Sequence, residues 1–245
     1  MHRTASVIKL QTQHRYQTFG LPFVILGIAF AVVLVIGIIA NVAAGDDADD
    51  VLGLMHDGMR FNGAIWSLLG PLMGLGFTAM LQMFPLALGL GVTRREFASG
   101  TVALFAGLAL GFAAVVTVLR QIEIATEGFG LGIRMFDVVY VGDGAWWQTL
   151  VHTTGLLLMA MLLSAALSTV YLRGGQTALW LVLASIGVLV ALGGAVAVLV
   201  APGGLAAVAE TIFTAPSWAW LVGFVVVGGL SAAAWLLLIR RAPVR

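Results

Sequence analysis

The sequence predicts an all-α membrane protein with six transmembrane helices and both termini in the cytoplasm. Three observations lead there. Of the 245 residues, 61% are hydrophobic and only 9% are charged, well outside the balance of a soluble domain. The apolar residues gather into runs long enough to cross a hydrocarbon core of roughly 30 Å at about 1.5 Å per helical residue, and these runs lack the period of two that a membrane β-barrel needs. Basic and acidic residues also divide between alternate connections. Arg3, Lys9, Arg15, Arg94, Arg95, Arg173, Arg240, Arg241 and Arg245 lie on one side of the runs, and Arg60, Arg120 and Arg134 on the other. Among the 11 acidic residues only Glu96 falls on the basic side. Basic loops stay in the cytoplasm, and a "DDADD" run is too costly to bury, at about 2.5 to 3.5 kcal/mol per aspartate at the membrane centre.

Residues 1–19 read as a cytoplasmic interfacial segment, with Ala5, Ile8, Tyr16 and Phe19 at approximate helical spacing among basic and amide residues. A plain topology signal is an equal reading of it. Residues 20–245 form the six-span domain. The first span, Gly20 to Ala44, ends in small residues like a cleavage site, but its apolar core exceeds the 7 to 15 residues or so of a signal peptide; it reads as an uncleaved anchor. The second, Phe61 to Leu90, holds Pro71 and Pro85, each of which removes a backbone hydrogen bond and should kink the helix. The third runs from Gly100 to Leu119, the fourth from Leu150 to Leu172, the fifth from Ala178 to Val200 and the sixth from Trp218 to Ile239. Trp66, Trp146, Trp147, Trp218 and Trp220 fall near the outer ends and Trp180 and Trp235 near the inner ends, where amphipathic rings favour the interface.

No Asp, Glu, Lys or Arg falls within these six cores, and His152 is the nearest titratable group. Ion-coupled carriers need ionisable groups at mid-membrane, so this pattern disfavours a carrier or channel. No nucleophile, acid–base pair or metal cluster stands out, and there are no cysteines. The sequence therefore predicts neither a catalytic site, nor a metal site, nor a cofactor site in this chain, and nothing points to nucleic acid. Gly70, Gly74 and Gly76, and Gly107 with Gly111, allow close helix packing.

Two outer segments exceed simple turns. Arg120 to Thr149 reads as interfacial. Ala201 to Ser217 is framed by Pro202 and Pro216, is apolar between them, and contains Glu210; it suits a re-entrant or membrane-surface helical hairpin.

The stretch "GVTRREFASG", Gly91 to Gly100, concentrates charge on a short connection. The positive-inside rule accounts for Arg94 and Arg95, but the remainder follows a further logic. Thr93 can cap a short helix, Glu96 suits its first turn, and Phe97 adds an apolar knob. With the basic amphipathic N-terminus, the six spans and the proline-framed segment before the last span, the "GVTRREF" block resembles ABC-2 type permeases of ABC transporters, actinobacterial members in particular. The resemblance covers essentially the whole chain.

That resemblance implies a bacterial plasma-membrane half-transporter that pairs with a second copy, identical or related, among membrane lipids. It implies a separate cytoplasmic ABC ATPase carrying ATP and Mg²⁺, and Thr93, Arg94, Arg95, Glu96 and Phe97 as the coupling helix. The arginines would meet ATPase carboxylates and Phe97 would fill a pocket. Pro202, Glu210 and Pro216 would belong to the outer hairpin. The chain itself has no "GxxxxGKS/T" phosphate loop, and its only lysine is Lys9. A membrane scaffold is the further alternative, because packing alone would satisfy every residue in the spans.

Overall fold

A computed structural model describes residues 2–12, 16–44, 53, 58–142, 144–201 and 203–242. The acidic run Asp46 to Asp50, together with Arg15, Asp57, Asp143, Pro202, Arg245 and the side chain of Ala5, lies outside the described residues. Every regular element among the described residues is helical, as expected where apolar runs must satisfy their own backbone groups.

Helix α1 (His2–Gln11) leads through a π-helical turn, Tyr16–Gly20, into α2 (Leu21–Ala44). Val7 is buried and Ile8 half-buried, while Tyr16 and Phe19 are exposed. Gln11 Nε2 donates to Thr101 Oγ1 at 2.7 Å, so α1 packs on the protein itself.

The second apolar run stays helical but changes helical type near its prolines. Two 3₁₀ turns, Met59–Phe61 and Ala64–Leu68, precede α3 (Leu69–Thr78); a π-helical turn, Ala79–Met83, separates it from α4 (Phe84–Gly89). Pro71 lies near the start of α3 and Pro85 near the start of α4, where the helical type changes, and each removes a backbone hydrogen bond. The ring of Pro85 cannot bond back to the preceding turn, and the helix widens there.

Helix α5 (Arg94–Ala125) continues past the predicted end at Leu119 and takes Arg120 and Glu123 into the interior, 2% exposed each. The sequence places both residues in the outer interfacial segment; that placement is corrected there. The predicted fourth and fifth spans fall in one 55-residue helix, α6 (Trp146–Val200), whose only non-helical backbone is at Gly175, with φ 70° and ψ −166°. Among the described residues five helical stretches are long and apolar enough to cross a membrane: Tyr16–Ala43, Met59–Gly89, Arg94–Ala125, Trp146–Val200, which contains the Gly175 break, and Ser217–Ile239. After α6 come α7 (Gly204–Phe213) and α8 (Ser217–Ile239).

The core is built around the first half of α6, which packs against α3, α5 and α8. Small residues set the spacing: a Cβ on Gly76 would fall on Ser164 Oγ and stand 2.8 Å from the Met161 carbonyl oxygen. Trp235 is fully buried, with its Nε1 on Met80 Sδ at 3.2 Å, so it is a core residue and not the interfacial tryptophan expected. From Gly175 onward α6 has no buried residue.

Candidate functional site

The block "GVTRREF" forms a tight corner between two helices. Gly91 has φ 81°, and Val92 N donates to Ala87 O while Gly91 N donates to Leu88 O, each at 3.0 Å. This is the left-handed glycine closure of a helix end, and it terminates α4. Thr93 then opens α5 at once. Its Oγ1 accepts from Glu96 N at 3.2 Å, and Glu96 Oε2 accepts from Thr93 N at 2.9 Å, a reciprocal capping box. The Thr93 cap and the first-turn position of Glu96 are as the sequence predicts. No separate short helix exists, because the cap begins a helix of 32 residues.

The side chains of the corner divide by role. Phe97 is fully buried, its ring 5.2 Å from that of Phe84 in edge-to-face contact. Expected as a knob for a partner, it is instead enclosed by its own chain, because an aromatic on the inward face of the first turn finds a ready apolar neighbour. Arg94 Nη1 donates to Ile239 O at 2.7 Å, and its guanidinium lies 5.8 Å from the Phe84 ring centroid. Arg95 and Thr93 are exposed. The contacts of α1 and α8 with the start of α5 bring Lys9, Arg240 and Arg241, all exposed, to the same end of the molecule.

At the opposite end of α5 lies a second constellation, which sequence reading missed. After α5 the chain makes a left-handed turn, with positive φ at Glu127, Gly128, Phe129, Gly130 and Gly132. It then folds back along α2: Phe129 and Phe136 meet Phe30 at 4.9 and 6.2 Å between ring centroids, and Asn41 Nδ2 donates to Leu131 O at 3.3 Å. Non-helical backbone in such a place must find internal partners. Glu123 supplies three of them, its carboxylate accepting from Met135 N, Phe136 N and Asp137 N at 3.1, 2.9 and 2.9 Å. Asn62 Nδ2 donates to Arg134 O at 2.9 Å.

Arg120 completes the clamp. Its Nε and Nη2 donate to Asp137 Oδ1 at 2.9 and 2.7 Å, and Nη1 donates to Gly144 O and Thr149 Oγ1 at 3.2 and 3.1 Å. The Tyr140 hydroxyl donates to Asn62 O, and burial raises that phenol above its ordinary range. The signal that would have exposed this clamp was Arg120 and Glu123 three residues apart on one helical face.

The remaining predicted residues are placed as follows. Glu210 is exposed on α7, and Pro216 is the N-cap residue of α8. The segment before α8 contains this one helix rather than two arms among the described residues. His152 has its ring nitrogens 2.7 and 3.0 Å from the carbonyl oxygens of Gln148 and Ser217, tying the start of α8 to α6. Among the described residues no group of three or more His, Asp or Glu side chains is placed to hold a metal ion. Comparison with protein-family models, curated proteins and solved structures finds no match to this chain.

Proposed function

We propose that the chain is the membrane-spanning subunit of an ATP-driven exporter of the ABC-2 type. It works with a second copy, identical or related, and each copy docks a separate cytoplasmic ATPase that holds ATP and Mg²⁺. One observation carries this reading: the Gly91–Phe97 corner, fixed on both sides by helix-end hydrogen bonds, which leaves Arg95 exposed at the basic end. A rigid corner transmits displacement that a slack loop would absorb. A push on Arg95 passes along the uninterrupted α5 and, through Arg94, to the end of α8.

In this scheme Arg95 and Thr93 meet the ATPase, with Arg95 paired to a carboxylate. Arg94 ties the corner to α8, Glu96 holds the cap and Phe97 anchors the first turn. Gly175 divides α6 into the fourth and fifth spans, which gives six and leaves both termini on the cytoplasmic side. Residues 176–200, none of them buried, supply the seam for the second copy, with Gly187, Ala191 and Ala195 recurring at one-turn spacing. Helix α7, with the flanking Pro202 and Pro216, is the outer re-entrant element. Closure of two ATPases rocks the copies and opens an apolar passage outward for a hydrophobic or amphipathic substrate.

A carrier independent of ATP would use intramembrane charge, and Arg120, Glu123 and Asp137 are the candidates for it. The hydrogen bonds of Arg120 and Glu123 go to the folded-back segment, which disfavours that use.

The test begins with affinity isolation of the intact chain from native membranes and identification of the soluble subunit that accompanies it. In the reconstituted complex, Arg95→Glu is expected to abolish substrate-stimulated ATP hydrolysis. Because the chain has no cysteine, Arg95→Cys can also be labelled selectively with an impermeant maleimide. Labelling from outside intact cells, or transport by the isolated chain without ATP, overturns the proposal.

A further inference from the structure

A cleft of about 560 Å³ opens where α5 meets the folded-back segment, lined by Glu123, Ile124, Glu127, Arg134 and Asp137 among others. Most charge along it is already matched within the protein. Asp137 Oδ1 receives two hydrogen bonds from Arg120, and Glu123 receives three backbone amides.

Two groups keep hydrogen-bonding capacity. Arg134 is ion-paired with Asp137, its Nε 3.7 Å from Oδ2, yet that distance is beyond hydrogen-bond reach and the buried Nε has no hydrogen-bond partner. A buried guanidinium donor without an acceptor is costly unless a ligand supplies one. At the rim, Glu127 is exposed, its backbone held at φ 50°. Glycines 128, 130 and 132 leave the wall without side chains, and Ile124, 49% exposed, gives the cleft an apolar edge.

An inward cation, a rim anion and an apolar edge at the end of a membrane-spanning helix complement a zwitterion with an attached chain. We infer that this cleft binds the headgroup of an aminophospholipid, with the phosphodiester on Arg134 and the primary ammonium on Glu127. A simple anion would face the carboxylates of the same cleft, and a quaternary ammonium has no N–H to give Glu127. This inference stands independently of the transport reading, since neither residue belongs to the corner.

The test is native mass spectrometry of the full chain in detergent. It is titrated with phosphatidylethanolamine, phosphatidylcholine and phosphatidylglycerol of the same acyl chains, and separately with glycerophosphoethanolamine. The ethanolamine lipid should be retained about tenfold better than the others, the size expected of one charge-assisted hydrogen bond. Arg134→Gln should cut that retention about tenfold and Arg134→Lys should restore part of it. Glu127→Gln should lower the ethanolamine lipid to the level of the choline lipid. Equal retention of all three lipids, preference for the glycerol lipid, or wild-type retention by Arg134→Gln overturns the assignment. Competition by glycerophosphoethanolamine at the lipid's own concentration would replace the lipid with a soluble headgroup. Should Arg134→Gln fail to fold, Glu127→Gln at the exposed rim still decides, through loss or persistence of the ethanolamine preference.

Discussion

The guanidinium of Arg94 reaches across 145 positions of sequence to the carbonyl oxygen of Ile239, 2.7 Å away. Ile239 is the last residue of α8, and the final carbonyls of a helix lack partners within it. A cation there gains both a hydrogen bond and the helix-dipole interaction. Arg94→Ala should therefore lower the stability of the purified chain by about 1–2 kcal/mol. Arg95→Ala, at an exposed position, should change it by no more than about 0.5 kcal/mol. Denaturation of both variants in the same detergent decides it. Equal losses would mean that the two arginines do not have separate roles.

The capping box makes a second, local prediction. Thr93→Ala removes the oxygen that receives Glu96 N, at a cost of about 1 kcal/mol, while Thr93→Ser should be nearly neutral. Hydrogen exchange should localise the effect: the amides of Glu96 and Phe97 should exchange faster in Thr93→Ala, with those of residues 110–117 unchanged. Uniform acceleration along α5 would show that the corner is not an independent closure.

Larger effects belong to the clamp at the other end. Glu123→Ala leaves the buried amides of Met135 and Phe136 and the half-buried amide of Asp137 without an acceptor. Arg120→Ala leaves Asp137 and the Gly144 carbonyl without a donor. Removing one partner of a buried charged network typically costs about 3–5 kcal/mol, so both variants should lose much of the stability of a marginally stable fold. Glu123→Gln, which keeps one carbonyl oxygen, should be milder. Thermal unfolding with limited proteolysis of the 128–141 segment tests the order, and an unperturbed Arg120→Ala would remove the clamp from the energetics.

What sequence reading recovered and what it missed follow from the range of the interactions. Apolar length alone locates the helices long enough to cross a membrane, and the Thr93–Glu96 cap is readable because both partners lie within one turn. Phe97 was misassigned because nothing local indicates that Phe84, across the corner, is waiting to enclose it. Trp235 looks interfacial by position and is buried by Met80, 155 residues away. The sequence places Arg120 and Glu123 in the outer interfacial segment because charge normally ends a span. Here their charges continue the helix, since the returning backbone of residues 134–137 gives them partners. The break in α6 at Gly175, with φ 70°, falls in the predicted connection between Leu172 and Ala178, which Arg173 marks in the sequence.

Tyr140 gives the last prediction, a pH dependence with a definite sign. Its phenol is buried, and burial raises it above its ordinary value of 10.0. The folded chain thus holds the phenolic proton more tightly than the unfolded chain. Below about pH 10 both states are protonated and the contribution is fully present; as pH rises above that, the unfolded state ionises first and stability falls, by up to about 1.4 kcal/mol per pH unit. Tyr140→Phe removes this slope and should cost about 1 kcal/mol at neutral pH for the lost hydrogen bond to Asn62 O. The two stability curves should therefore converge between pH 10 and 11 in chemical denaturation of the full chain. Other titrating groups are common to both proteins and cancel in the difference. Parallel curves across that interval would mean that Tyr140 ionises in the folded chain as readily as in the unfolded one, and that the folded-back segment does not seal it from solvent.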